Sequence, residues 1–385
     1  MPRNIVICCD GTNNQFGTNN TNIVRVVQVM EHDSESQLIY YDPGIGTLPE
    51  PGFFTRIGKK FSEWWDLAFA TSLKRKVGEA YAFLMEHWQP GDRVYLFGFS
   101  RGAYTVRVLA GMLHHLGLLP PGNENQIPYL IRLFHGTKGE ESKYYELGAD
   151  YRKMFARVTT DPERRFPVHF VGVFDTVSSV GWIWNQATYR FTAYNPSIAN
   201  IRHAISLDEH RAFFRQNRFS RVTGQDLGQL WFPGVHSDIG GGYPEGNLWR
   251  CAFDWMVDEA ENKGLMINAA RRSEIAPPIP PNDPQPWAST MHESLTLLWM
   301  IGEIVPKHRW NEKTKKYEWR MNLGRHREIK DGELLHSAAL WRIRKTDYNP
   351  TNLTESFRAK VRALPDVPAQ LVYESGTVSA PGAPQ

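Results

Sequence analysis

The chain has 385 residues, 41% hydrophobic and 22% charged, a globular composition with enough apolar side chains for a large core and too many for a disordered chain. Lys and Arg number 44 against 41 Asp and Glu, and this net charge of +3 is spread along the chain, which excludes the concentrated basic face of an electrostatic nucleic-acid binder. Three cysteines, two of them the neighbours Cys8 and Cys9, exclude a disulfide scaffold, and the lack of an apolar window of about 18 residues excludes a membrane-spanning helix. Binding at a membrane surface stays open.

Residues 5–9 are a β-prone apolar run ending at Asp10-Gly11-Thr12-Asn13-Asn14, so they read as a buried strand running into a loop. Five apolar residues are too few for a signal-peptide core, so a cytoplasmic location is expected, with export only by a dedicated secretion system. Residues 38–41 before Asp42-Pro43-Gly44 repeat the strand pattern. Residues 62–87 carry Leu67, Leu73, Val77, Ala80, Tyr81 and Leu84 at threes and fours, a helix with an apolar face. Residues 93–97 read as a buried strand that turns directly into an apolar helix, 103–115. A helical insertion at about 120–163 and a strand at 168–174 follow. Residues 200–214 read as helix, 229–232 as strand and 249–263 as helix. Four or five strands alternating with helices predict an α/β fold with a mainly parallel sheet covered on both faces. The expected division is a core at 1–245, a helical and irregular C-terminal extension packing on it at 246–360, and a flexible tail at 361–385.

Gly98-Phe99-Ser100-Arg101-Gly102 matches G-x-S-x-G between a strand and a helix, where a strained turn projects the serine hydroxyl and glycines avoid clashes. The bland alternative is a βα turn whose serine caps the helix. A serine hydroxyl needs a base, and the base needs an orienting carboxylate. Asp175 ends the 168–174 strand and His236 follows the 229–232 strand, so Ser100, Asp175 and His236 fall in the order Ser, Asp, His at one sheet edge. Asp175 is otherwise a turn carboxylate. Asp238 is a second candidate orienter of His236, with anchoring of the Gly240-Gly241-Gly242 loop as its plainer role. His114, His115, His203 and His210 sit on expected helices as packing residues.

Asp10-Gly11-Thr12 allows two functional readings beside a plain turn. A phosphohydrolase aspartate would need a second aspartate two residues away, where Cys8 and Thr12 stand instead. The stronger reading has the Gly11 and Thr12 backbone N–H groups forming an oxyanion hole with that of Arg101. Arg101 and Arg107 offer charge to an anionic substrate group, or are solvated. Trp182, Trp184, Phe53 and Phe54 are candidate substrate or lipid contacts, or core. No metal or organic cofactor is required, and oligomeric state is not legible.

These residues resemble the α/β-hydrolases that include a class of type VI secretion phospholipase effectors. The resemblance rests on Cys9-Asp10-Gly11-Thr12, residues 41–47, Gly98 to Ala103, Phe174-Asp175-Thr176-Val177, residues 203–211 and Trp231 to Tyr243, with 335–337 and 348–353 as a matching C-terminal ending. It implies an α/β-hydrolase-like fold, the triad Ser100, Asp175 and His236, and a glycerophospholipid or other lipid ester as substrate. Asn13 and Asn14 depart from the aromatic residue many relatives carry there, and the 385 residues are not expected to hold the large additional domains of the secreted toxins. The expected function is a serine carboxylic-ester hydrolase. The alternative is a non-catalytic binding protein that keeps the fold.

Overall fold

A computed structural model describes residues 2–375 apart from 12–16, 18, 45–57, 137–140, 178–188, 212–213, 215, 281, 295–306, 312–315 and 321–322, without the side chains of 58–70, 141, 307–311 and 316–320. β1 (Asn4–Cys9), α1 (Asn22–Val29), β2 (Gln37–Asp42), α2 (Gly58–His87), β3 (Arg93–Phe99) and α3 (Ser100–Leu116) open the chain. α4 (Ile127–His135) and α5 (Glu141–Phe155) precede β4 (Val168–Phe174), β5 (Ile198–Ser206), β6 (Asp226–Phe232) and the short α6 (His236–Gly240). α7 (Trp249–Glu261), α8 (Ala269–Ile275), β7 (Lys307–Asn311), β8 (Lys316–Arg320), β9 (Leu334–His336), α9 (Ser337–Lys345), α10 (Glu355–Arg362) and β10 (Gln370–Val372) complete the described elements.

Eight strands form one sheet in the order β10-β9-β6-β5-β4-β3-β1-β2, with β7 and β8 as a separate hairpin. Every pairing in the large sheet is parallel except β9 with β10. Alternation along β1 divides the core. Ile5, Ile7 and Cys9 pack with α2 and α3, whereas Val6 and Cys8 face Ile23 and Val26 of α1 and Phe253 and Met256 of α7. The sheet is therefore covered on both faces, as the buried strand runs require, and the fold is α/β-hydrolase-like.

Strand order reverses between β1 and β3: β1 leads outward to β2 on one side, and β3 begins the series β3-β4-β5-β6 on the other. Such a switch point leaves a crevice beyond the C-terminal strand ends, where open α/β sheets place their ligands. α3 enters this crevice closely. A Cβ on Gly102 would stand 2.1 Å from the Cys9 carbonyl oxygen and 2.5 Å from that of Asp10. Both are backbone atoms at the end of a buried strand and have nowhere to go. Gly102→Ala is expected to cost about 3 kcal/mol or more, read as a lower urea midpoint at unchanged m-value.

Two expectations differ from the structure. Residues 200–206 are not helical but belong to β5, buried at the centre of the sheet. The apolar residues 198, 201, 204 and 205 imitate a helical period because Arg202 and His203 are inside with partners. Arg202 binds Asp226 at 2.8 Å and Glu259 at 2.5 Å, and His203 Nδ1 lies 3.0 Å from Gln229 Oε1. The segment read as a tail from 361 is structured to residue 375. Val361 and Tyr373 are buried, β10 pairs with β9, and β9 pairs with β6, so the C-terminal segment extends the sheet itself. Its own cluster, with Leu335, Leu340 and Phe357, packs on Ile205, Leu207 and Trp231.

Candidate active site

Ser100 stands where β3 becomes α3, with φ of 56° in the left-handed region that side chains rarely occupy. The glycines around it make this turn possible: a Cβ on Gly98 would lie 2.5 Å from Ala103 Cα, and Gly102 meets β1 as described above. Asp175, directly after β4, is also left-handed, at φ 39°. The register pairs Phe99 with Phe174, so Ser100 and Asp175 are the next residues on adjacent strands. His236 opens α6, four residues past the end of β6.

The structure joins Asp175 and His236 directly and sets the Ser100 turn beside them through Phe99. His236 Nδ1–H donates to Asp175 Oδ2 at 2.6 Å, which fixes the tautomer and leaves Nε2 as the basic nitrogen. Phe99, the residue before Ser100, packs its ring against the His236 imidazole with centroids 4.7 Å apart, and Phe214 closes from another side at 4.8 Å. A Cβ on Gly240 would fall 1.9 Å from the Phe99 ring, so glycine there makes room for this support. The His236 N–H donates to Glu209 Oε2 at 3.3 Å.

Burial disfavours the imidazolium and lowers the His236 pKa below its ordinary value, against the pull of Asp175. Burial by itself would raise the Asp175 carboxyl. The Arg327 guanidinium and His236 outweigh it and hold that carboxyl well below the usual range. Glu209 likewise is buried yet brought down to about 2 by Arg211, Arg327 and His236. Asp175 and Glu209 are thus carboxylates at neutral pH, and His236 is a neutral base.

Asp238 is committed elsewhere. Its Oδ1 accepts from His292 Nδ1 at 2.6 Å and its Oδ2 from Val235 N–H at 3.0 Å, so it anchors the loop that carries His236. Gly241 bridges to Thr21, and a Cβ there would meet Asn22 N at 2.8 Å, which places the glycine loop against the start of α1. Asp10 accepts from Thr21 Oγ1 at 2.6 Å and Tyr41 Oη at 3.2 Å. The Gly11 N–H, expected to face an oxyanion, instead donates to Asp10 Oδ1 at 2.7 Å, because the carboxylate folds back over its own turn. Thr12, Trp182, Trp184, Phe53 and Phe54 lie outside the described residues. Arg101 follows Ser100 in the first turn of α3, and burial lowers its pKa to about 10. Arg107 is no anion receptor: fully buried, it donates to Thr192 O at 2.7 Å and lies 3.8 Å over the Phe219 ring. His114 bonds Ser197 Oγ at 2.6 Å and His115 stacks on Tyr144 at 4.2 Å, both as packing residues.

The loop before His236 is also tied to Asp208, whose Oδ2 accepts from Gly234 N–H and Tyr348 Oη, each at 2.6 Å. Burial pushes the Asp208 pKa from 3.8 up to about 6. An acid whose folded pKa is raised contributes stability that is full below its unfolded pKa and lost as pH rises through the folded one. Relative to Asp208→Asn, the wild type should therefore lose about 3 kcal/mol between about pH 3 and pH 8, measurable as diverging denaturation midpoints of the two proteins.

Sequence reasoning missed Glu209, Phe214 and Arg327. Glu209 lies inside one of the blocks that carried the resemblance. Phe214 sits just past it, and Arg327 has no local signature at all.

Comparison with known proteins adds an independent line. A relative from Saccharomyces cerevisiae, an uncharacterized protein, is 36% identical over 232 residues, which is 57% of this chain and 33% of the relative. A lipase of Staphylococcus epidermidis is 33% identical over 85 residues, covering 22% of this chain and 11% of the lipase. The chain thus spans a third or less of the curated relatives it matches. Two solved structures align: an uncharacterized protein from Pseudomonas aeruginosa (TM-score 0.38, 20% identity, 69% of this chain and 47% of that one) and the Tle1 effector bound to the VgrG spike of the type 6 secretion system (TM-score 0.34, 21% identity, 63% and 51%). The model of the family described as "T6SS, Phospholipase effector Tle1-like, catalytic domain" matches residues 3–259, a span holding the strained serine, the aspartate and the histidine. With well over half of its length matched, the chain belongs to the Tle1-like phospholipase effector catalytic-domain family.

Proposed function

We propose that the protein is a serine carboxylic-ester hydrolase that cleaves lipid esters, phospholipids foremost, through an acyl-enzyme. The observation that supports this most is the buried Asp175–His236 hydrogen bond set beside the strained Ser100 turn at the sheet's switch point. In this reading His236 Nε2 takes the Ser100 proton as the hydroxyl oxygen attacks the ester carbonyl carbon. Asp175 stabilises the resulting imidazolium without accepting its proton. The positive end of α3, beginning at Ser100 and Arg101, faces the oxygen on which charge develops. His236 then returns its proton to the leaving alcohol, and a water activated by the same nitrogen releases the acid and restores Ser100. No step calls for a metal or organic cofactor.

The lipid part of the proposal draws on the family description and on the lipase relative. No helix among the described residues is long and apolar enough to cross a membrane, so substrate would be met at a bilayer surface or as monomers. Delivery through a type VI apparatus is proposed on the family alone. The test is mass spectrometry of products from phosphatidylcholine and phosphatidylglycerol vesicles, with Ser100→Ala as control. Fatty acid and lysolipid formed only by the wild type support the proposal. Cleavage of soluble short-chain esters without lipid products reduces it to an esterase. Failure of a fluorophosphonate to label Ser100 favours a binding protein that keeps the fold.

A further inference from the structure

The Asp175 carboxylate is engaged on every side. It accepts from Ser206 N–H at 2.9 Å and from His236, and Arg327 donates to both of its oxygens, Nη1 to Oδ1 at 2.5 Å and Nη2 to Oδ2 at 3.0 Å. Arg327 is itself immobilised. Its Nη1 also donates to Ser206 Oγ at 2.6 Å, its Nε to Phe214 O at 3.0 Å, and its carbonyl accepts from Asn352 Nδ2 at 3.2 Å. Phe214, whose carbonyl Arg327 binds, is the residue whose ring packs on His236. The guanidinium therefore touches the imidazole's surroundings by two routes, the carboxylate and the aromatic wall.

We propose that Arg327 is a positioning residue for the Ser100–His236–Asp175 site, clamping both Asp175 oxygens so that the chain beyond the family-matched residues 3–259 completes the site. This deepens the hydrolase reading and, for its kinetic consequences, rests on it. A buried ion pair is weak evidence for stability, because packed apolar residues of similar volume do as well. Its geometric effect is specific: a carboxylate held by one imidazole can turn about its terminal bond, and one gripped by a planar fork cannot. Its electrostatic effect is equally specific. Asp175, Glu209 and Arg211 are the charged groups that act on His236, while Arg327 and His236 act on Asp175, and the neutral His203 feels Asp175 and Arg327 without charging. Arg327 shares the Asp175 charge and so restrains how strongly that carboxylate stabilises the imidazolium. The acid limb of activity is thereby kept low.

The experiment uses the full chain, with Arg327→Met removing cation and fork and Arg327→Lys keeping the cation as a point charge. The His236 titration is followed by NMR of histidine labelled at Cε1, assigned with His236→Asn, and kcat/KM for a short-chain ester is measured against pH. Arg327→Met is expected to raise the His236 midpoint and the acid limb together, by about one pH unit. It should also lower kcat about 100-fold at its own optimum with KM little changed, because the base is no longer aimed. Arg327→Lys should recover most of the pH shift and part of the rate. An Arg327→Met protein that melts cooperatively and shows the wild-type His236 titration overturns the proposal. If Arg327→Met does not fold, an Arg327→Lys protein identical to wild type in rate and titration overturns it instead. The NMR arm needs no turnover: a wild type that cleaves no ester would sink the hydrolase reading while the titration still decides the role of Arg327.

Discussion

Ser100→Ala should abolish ester hydrolysis while leaving the protein folded, with kcat lowered by about 10⁴–10⁶. The size of the loss follows from chemistry. Without the hydroxyl there is no acyl-enzyme, and what remains is whatever the helix end and the binding surface contribute to direct attack by water. Folding should survive because the change removes one buried oxygen and keeps Cβ. Alanine at φ 56° meets the same backbone strain that serine already bears, and the stability difference should stay within about 1 kcal/mol. The measurement is an initial-rate assay with a chromogenic short-chain ester, paired with a urea melt. A variant within tenfold of the wild type would show that Ser100 is not the nucleophile.

Asp175→Asn should damage both catalysis and stability, and the pH dependence separates the two. An amide in place of the carboxylate can donate to His236 Nδ1, which stabilises the wrong tautomer and leaves Nε2 protonated and unable to act as a base. Loss of about 10⁴ in kcat is expected. The same change leaves the Arg327 guanidinium buried opposite a neutral group, where removing one member of a buried pair costs about 3–5 kcal/mol. For the sign with pH, Asp175 has its folded pKa depressed, so its contribution is present above the unfolded carboxyl pKa and is lost as pH falls through the folded one. The stability gap between wild type and Asp175→Asn should be constant from neutral pH down to about 4 and narrow below it. A gap that does not narrow at all between pH 4 and pH 2 would mean that the loss comes from altered packing. Denaturant titrations at a series of pH values, run on both proteins, read this directly.

Taken together, the two variants distinguish the roles that the geometry couples. Ser100 sits on a turn whose construction is local, so its replacement should leave His236 undisturbed. Asp175 holds the histidine, an arginine and the Ser206 amide at once, so its replacement should be felt in all three.

Much of this site is written in short-range pattern. The buried run before Gly98, the apolar helix after Gly102 and the glycines between them specify a strand, a strained turn and a helix, since each depends only on period and on the steric freedom of a few residues. Asp175 and His236 were legible for a similar reason: each directly follows a recognisable apolar strand, and in a parallel sheet such positions collect at one edge. The blocks that place the chain in its family lie in the same elements. Where the sequence misled, a local pattern was overruled by distant partners. Residues 198–206 show a helix-like spacing because Arg202 and His203 are polar. They lie inside β5 only because Asp226, Glu259 and Gln229 are brought to them by other elements.

What the sequence by itself determined is the layered α/β core, the serine turn and the order of the three residues around it. Only the tertiary structure decided which carboxylate holds His236, since Asp175 and Asp238 were both available and the loop turns Asp238 toward His292. It alone decided that β9 and β10 join the sheet, and that Arg327, 152 residues from Asp175, closes over the carboxylate. The physical reason is one of range. Periodicity and turn chemistry act over a few residues and leave a trace in the sequence, whereas a buried ion pair is satisfied by whichever segment the fold delivers, and nothing near Arg327 records which one that is.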